Sequence, residues 1–359
     1  MRIGSLAIYE QLKRAVQEDI NEISEKNTML FTGKKINKPS DDPVGAVRAI
    51  DYRVSIQQSE QYKSNMMGAG IFMSVADKAF TASADVLDKL INLADKGVNG
   101  DTPENRNQFS LEAAGYRDVL LSMANTKFGG RHIFSGFKTD QQAFTFNAAT
   151  NTYDYNGDLG LINVQIDKGM TIAQNVPGSN VFSFGLGASM SSVLSDGTTV
   201  SYTAALNPVN GVNTITIEIG NAGDPNHDTF SVSNVMDVAN TISYAWKFQE
   251  VDGNALDASA AISKEKGLHR MDALSALADT ARTKILGTQS EVGGRGVVLN
   301  DQIARTDQNI LNWENARAKT EDADINQVFV ELKQAEVALE ALRSSSANVL
   351  SRSLFDYLK

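Results

Sequence analysis

The chain has 359 residues, a formal net charge of −10 and a sequence pI near 4.9, and it contains no cysteine. Its acidity argues against a nucleic-acid surface, which needs a basic stripe. No apolar run reaches the roughly 18 residues of a membrane span, and without cysteine there is no disulfide framework.

The first residues, MRIGSLAIYEQLKR, lack the ordered charged start, apolar stretch and small-residue cleavage site of a secretory leader, so no cleaved signal is expected. Leu12, Val16, Ile20, Ile23 and Leu30 then recur at helical spacing. The stretch TGKKINKPSDDPVGA breaks that helix. Gly33 tolerates the left-handed conformation that ends helices, and Pro39 turns Lys38 away from helical geometry. Asp42 before Pro43 reads as an N-cap followed by a first helical residue that has no N–H to leave unpaired. With Asp41, these residues mark a defined break between two helices. Ile71, Val75, Ala79, Ala82, Val86, Leu90 and Leu93 step through an 11-residue repeat, which predicts a nearly straight helix. A break near Gly97 and a new start at Thr102–Pro103 follow. That second helix is expected to stop before Gly129–Gly130.

The middle of the chain differs in composition. Between Asp140 and Glu250 only Lys168 and Lys247 are basic, against ten acidic residues, ten glycines and three of the six prolines. YDYNGDLGLINVQID, TTVSYTAAL and NTITIEIG read as strands, with turn signals at Asn156–Gly157, Asp196–Gly197 and Asn210–Gly211. The helical pattern returns with Leu274, Leu277, Ala281, Ile285, Thr288 and Val292, then Leu299, Ile303, Thr306, Ile310 and Trp313. Between those groups GGRG reads as a backbone break or a close-packing point. At the end, Ile325, Val328, Leu332, Ala335, Leu339, Leu342, Ser346 and Val349 form a heptad seam. Leu350, Leu354 and Leu358 continue by fours. Each terminal helix carries one apolar stripe that it cannot bury alone. Two readings stay open: the stripes pack within the chain, or they remain loose until copies assemble.

No constellation for chemistry emerges. His132, His227 and His269 have no metal-ligand spacing. DPNHDT begins like a calcium loop but has Thr229 where the glycine belongs and Val235 where the closing glutamate belongs, and reads as a polar turn. GGRG and GGRH lack the Lys-Ser/Thr of a phosphate loop. Trp246 and Trp313 read as packing anchors. The expectations are no catalytic residues, no metal and no cofactor.

GKKINKPSDDPVGA resembles the loop after the first helix of the flagellin superfamily, whose filament members typically read SGLRINSAKDDAAG. Prolines at 39 and 43 bring it closer to the hook-filament junction members. KTEDADI, Lys319 to Ile325, resembles the family's RIEDAD, and FGGRHIFSGFKTDQQAF, Phe128 to Phe144, is similar to the stretch leading out of the junction proteins' helical part. The ending SRSLFDYL departs from most flagellins. The resemblance covers about the first 145 and last 95 residues.

The resemblance implies an α+β fold: a long α-helical bundle with coiled-coil terminal helices and an inserted β-rich domain. The expected parts are 1–42, a coiled-coil helix and loop; 43–138 and 256–320, the two halves of a helical rod; 139–255, the β-rich insert; and 321–359, the last coiled-coil helix. Terminal helices from Met1 to about Phe31 and from about Ile325 to Lys359 would line a central channel. Helices Pro43 to Lys96, Pro103 to Lys127 and Lys264 to Ala318 would form the next shell.

The function implied is structural: a junction layer between hook and filament, templating filament assembly and adapting one to the other mechanically. A filament-forming flagellin is the alternative. Implied partners are a hook-associated protein on the hook side, flagellin on the filament side, copies of the chain in a ring of about eleven, and a cytosolic export chaperone. No nucleic acid or membrane is implied. The location would be extracellular, on the flagellum, after type III export. The assembly seam would comprise Leu12, Val16, Ile20, Ile23, Leu30, Ile325, Val328, Leu332, Leu339, Leu342 and Val349. The interdomain loop would rest on Gly33, Pro39, Asp41, Asp42 and Pro43.

Overall fold

A computed structural model describes residues 2–96, 103–184, 190–194, 196–206, 213–248 and 262–355. The expected break at Gly97, the Asn210–Gly211 turn and Leu358 lie outside them, as do the side chains of Val349, Leu350 and Leu354. The chain divides into two compact units, one made of residues 1–61 and 305–359, the other of residues 62–304. Two long helices, α2 (Pro43–Lys96) and α6 (Lys264–Glu321), contribute to both. The fold is α+β, as expected.

In the first unit, α1 (Arg2–Thr32) and α7 (Ile325–Phe355) pack along each other. Their sense is antiparallel, because Lys26 of α1 pairs with Glu331 of α7 at 2.6 Å while Ala323 bonds Gly33 at the near end. The first turns of α2 and the last of α6 complete the unit, with Tyr52 stacked on Trp313 at 5.9 Å between ring centres.

The second unit holds a continuous apolar core. On α2 the buried column is Met66, Ala69, Met73, Ala76, Phe80, Ser83, Leu87, Leu90 and Ala94. Phe72, Ala79, Ala84, Val86 and Leu93 are buried beside it, so the buried face of α2 is wider than one column. Ala79, Val86, Leu90 and Leu93 are buried as expected, but Ile71 is 53% exposed. Val75 and Ala82 are half-buried, and Met66, Phe72, Met73, Phe80 and Ser83 extend the buried face beyond the expected positions. On α6 the expected positions Leu274, Leu277, Ala281, Ile285, Val292, Leu299 and Thr306 are buried. This helix runs unbroken through Gly293, Gly294 and Gly296, and a Cβ at each would meet nothing within 4 Å. GGRG is therefore neither a break nor a close-packing point within this chain. The helical hydrogen bonds of long flanking segments outweigh the cost of glycine, about 1 kcal/mol each.

Helix α3 (Pro103–Ala124) stops earlier than expected. Asn125 follows it and acts as a strand mimic: its Oδ1 accepts from Phe144 N–H at 2.9 Å and its Nδ2 donates to Phe144 O at 2.8 Å. Then β1 (Lys127–Phe128) and β2 (Arg131–His132) form a hairpin whose turn is Gly129–Gly130, both with positive φ, 56° and 81°. That is the two-residue turn whose twist matches a hairpin. A second hairpin pairs β3 (Phe144–Asn147) with β4 (Thr152–Tyr155), and a third pairs β5 (Asn163–Asp167) with β6 (Met170–Ala173). Asn156–Gly157 lies after β4 and makes no hairpin turn. The β3–β4 turn instead uses Asn151, whose φ is 52°.

A short helix, α4 (Gly178–Phe182), leads to β7 (Met190–Val193), β8 (Thr199–Leu206), β9 (Asn213–Ile219) and β10 (Asp228–Val232). These form an antiparallel sheet in the order β10-β9-β8-β7. Alternation turns Val200 and Tyr202 of β8 inward beside Ile219 and Ile217 of β9. The Tyr202 hydroxyl donates to Ala273 O of α6 at 3.0 Å. The sequence reading missed α5 (Val235–Trp246), which packs on α3 inside the β-rich stretch. Asn234 caps it, accepting from Met236 and Asp237 N–H, each at 3.0 Å. Val235, Val238, Ala239, Ile242 and Trp246 recur at helical spacing, but the signal lies inside a stretch read as strands.

Candidate assembly site

The quoted loop is held by its own punctuation. Gly33 has φ 73°, and its N–H closes α1 on Met29 O at 2.8 Å. Asp42 Oδ1 accepts from Val44 and Gly45 N–H at 3.1 and 2.9 Å, so Asp42 caps α2 and Pro43 is its first residue. Asp41 has a different task. Its Oδ2 gathers the N–H groups of Lys38 at 2.8 Å and Asn37 at 3.0 Å, tying the turn around Pro39. Those two bonds, Lys38 first, hold its carboxyl below the usual value. Asn37 Nδ2 closes back on Lys34 O at 2.8 Å.

Gly45 is required for another reason. A Cβ there would lie 2.3 Å from Asp42 Oδ2 and 2.6 Å from Ile36 Cδ1. The side chain of Ile36 tucks against the start of α2 in the place a larger residue would occupy.

The loop is also welded to the far end of the sequence. Ala323 N–H donates to Gly33 O at 2.9 Å and Lys35 N–H to Glu321 O at 2.8 Å, an antiparallel bridge between two connecting segments. Lys35 Nζ reaches Lys319 O at 2.9 Å. Glu321 is 2% exposed and pairs with both Lys34 and Arg53. Burial pushes its carboxyl up, but the two cations outweigh that and hold it below the usual value. Asp324 then caps α7, accepting from Asn326 and Gln327 N–H at 3.0 and 3.2 Å. The two acidic motifs therefore work alike: in SDDP one aspartate ties the loop and the next starts a helix, and in EDAD Glu321 ties and Asp324 starts.

Among the seam residues, Val328 and Leu332 are buried, together with Ala335. Leu12, Val16, Ile23, Leu30, Leu339 and Leu342 are half-buried, while Ile20 and Ile325 are 40% and 47% exposed. Lys26 and Glu331 reinforce the pair. Their hydrogen bond raises the lysine and lowers the carboxyl. Beyond the seam, Phe31, Val44, Val47, Ile50, Val54, Phe329, Val330 and Val337 are exposed apolar side chains in this unit.

Sequence reasoning missed Glu321, Lys34, Arg53, Ile36 and Gly45. The acidic motif pointed at Glu321, but nothing local marks a carboxylate whose partners are 268 and 287 positions away. Asp324 had a readable signal, an aspartate directly before an apolar periodic run.

Among the described residues no group of three or more His, Asp or Glu is placed to hold a metal, and no helix is long and apolar enough to cross a membrane. In DPNHDT, Asp228 is committed to Arg270 of α6 in a buried pair.

Residues 3–139 match the family described as the bacterial flagellin N-terminal helical region. The resemblance to the flagellin superfamily read from the loop motif therefore holds. Among individual proteins, the chain is 29% identical over 187 residues to flagellar hook-associated protein 3 of Salmonella typhimurium. That match covers 51% of this chain and 57% of the relative, so it spans little more than half of that protein's length. Solved structures share the fold. FlgL of Xanthomonas campestris aligns with a TM-score of 0.55 at 14% identity, over 74% of this chain and 99% of its own. The flagellar junction protein FlgL of Legionella pneumophila aligns with a TM-score of 0.52 at 17% identity, over 78% of this chain and 100% of its own.

Proposed function

We propose that the chain is a structural subunit of the bacterial flagellum that forms the junction layer between hook and filament. The names of its relatives support this reading. The observation that carries it is the welded loop. Glu321 with Lys34 and Arg53, the Gly33–Ala323 bridge and the two aspartate caps fix the angles at which α1, α2 and α7 leave one point. A subunit set between two different tubes needs those angles defined, and two prolines remove freedom that a plain linker would keep.

In this reading the parts are those expected from the sequence. The terminal helices line the channel, the straight helices form the next shell, and the β-rich part from about 139 to 255 faces solvent. Copies form a ring of about eleven, with a hook-associated protein on one side and flagellin on the other. A cytosolic export chaperone covers the apolar terminal stripe until type III export delivers the chain outside. The role is mechanical and templating, with no catalytic step.

Gold-tagged antibody on intact cells tests it. A narrow band between hook and filament is expected. Label along the whole filament would make the chain a filament flagellin and end the junction reading. A loop replaced by Gly and Ser, in place of Thr32 to Ala46, is expected to leave the second unit folded and impair swimming and filament retention. Normal swimming by that variant would contradict the mechanical role.

A further inference from the structure

The unit of residues 1–61 and 305–359 carries two exposed apolar faces with the same repeat. At the start of α2, Gly45, Ala49 and Ile56 are buried, while on the opposite side Val47, Ile50 and Val54 are 46–59% exposed. On α7, Val328, Leu332 and Ala335 are buried, while on the opposite side Val330 and Val337 are 53% and 66% exposed. A helix that is apolar on two sides needs a second neighbour to cover the outer one. Val47 and Val54 are seven residues apart, and so are Val330 and Val337. Two helices with that repeat mesh side by side in the parallel sense, valine layer on valine layer.

The fit extends to charge. With Val47 against Val330 and Val54 against Val337, Lys333 falls where a knob inserts among Val47, Ile50, Asp51 and Val54 of the other helix. Its carbon chain then covers the apolar side chains while its ammonium reaches Asp51. In the antiparallel sense Asp51 and Lys333 would lie on opposite flanks of the contact, so charge selects the parallel one. Asp51 is exposed and, among the described residues, makes no ion pair within the chain. Lys333 meets Glu336 at 2.6 Å, but both side chains are exposed, and such a pair is worth little in water and exchanges readily. The joint at Glu321 fixes the helices of this unit with both faces outward, so the two faces meet only across copies.

We propose that the outer face of α7 of one copy packs along the start of α2 of a second copy, Val330 and Val337 against Val47 and Val54, with Lys333 on Asp51. The two surfaces differ, so the contact is heterologous and generates a ring when its rotation closes. The proposal rests on the reading that copies of this chain assemble side by side, and names the helix faces that meet.

Charge reversal tests it. Asp51→Lys and Lys333→Asp each set like charges against each other across the contact, and each is expected to lower the amount of the chain in sheared flagella about tenfold or more. The two reversals in one chain are expected to restore most of it, and the melting temperature of the purified chain to stay unchanged in all three variants. The absence of cysteine allows a second readout in the assembled flagella. Val54→Cys with Val337→Cys is expected to give a ladder of disulfide-linked multimers on mild oxidation, and Val54→Cys with Val330→Cys none. Normal incorporation of both single reversals, a double reversal no better than the singles, or a ladder from the second cysteine pair alone would overturn this contact while leaving side-by-side assembly intact. Absence of the unaltered chain from flagella would remove the assembly reading and this contact with it.

Discussion

The two units bury apolar surface in different ways. In residues 62–304, Phe80, Leu87, Leu90, Ile217, Met236, Leu274 and Ile285 are completely buried in one core. Among the described residues of 1–61 and 305–359 the buried apolar ones are Ile36, Ala49, Ile56, Val328, Leu332 and Ala335, and all but Ala49 retain 5–9% exposure. That unit is a set of helices whose stripes are only partly covered, and helices in that state gain little stability from packing. Its fixed geometry comes from polar joints at the connecting segments. One unit has a continuous apolar core; the other is fixed at its joints by polar contacts and only partly covered along its described faces.

The largest test of this contrast is a pair of truncations. Phe80→Ala removes a fully buried ring that also meets Phe134 at 5.6 Å, and is expected to cost roughly 3–5 kcal/mol. Leu332→Ala in the terminal pair is expected to cost less than half of that, because the pair relaxes around the gap. Thermal unfolding of both variants checks the ratio. Equal losses would mean the first unit has as firm a core as the second.

Next in size is a pH effect confined to the second unit. Asp237 is 2% exposed at the start of α5 and accepts from Tyr153 and Ser233 N–H at 2.8 and 2.9 Å. Burial pushes its carboxyl up to about 7 against those bonds. A carboxyl raised in the folded state takes up a proton on folding. Stability is therefore greatest at low pH within the window, and falls as pH rises from about 4 to about 7, by up to ~4 kcal/mol. Denaturant unfolding across that range is expected to show the slope, and Asp237→Asn to flatten it.

Glu321 has the opposite sign and a smaller size. Its carboxyl is held down by Lys34 and Arg53, so its contribution is present above the ordinary carboxylate range and lost as pH falls through its lowered value. Glu321→Gln is expected to cost about 1–2 kcal/mol, discounted because both cations are nearly half exposed. Hydrogen exchange at Lys35 and Ala323 should speed up while exchange in the sheet of the second unit stays unchanged. Faster exchange throughout would show that the joint supports the whole chain.

How much of this was legible follows the same division. Local signals served well. Asp42–Pro43 marked the start of α2, the alternation of TTVSYTAAL marked β8, and the heptad from Ile325 marked α7. Other signals were masked by their surroundings. The helical spacing of Val235, Val238, Ala239, Ile242 and Trp246 in α5 lay inside a stretch read as strands, and on α2 the expected positions are part of a wider buried face that also uses Met66, Phe72, Met73, Phe80 and Ser83. Glycines were ambiguous in the same way: the sequence GGRG does not distinguish a break from an exposed helical turn, whereas the positive φ of Gly129 and Gly130 makes a hairpin. The joint at Glu321 was half legible. Its motif was visible, its partners were not.

The smallest effect on stability carries the most discriminating result. Gly45→Ala in an ordinary helix is expected to stabilise by up to about 1 kcal/mol, since glycine is the poorer helix former. Here the added methyl meets the Asp42 carboxylate and the end of Ile36. Asp42 can escape only by releasing the N–H groups of Val44 and Gly45, and loss of such a cap costs about 1 kcal/mol. The two terms nearly cancel, so the melting temperature is expected to change by only a degree or two. The cap and the packing of Ile36 would change all the same, and with them the angle between loop and helix. A variant with near-normal stability and impaired swimming would separate precision at the joint from stability of the chain. Normal swimming would show that the junction tolerates a reset joint, and would leave the open apolar faces as the part on which assembly depends.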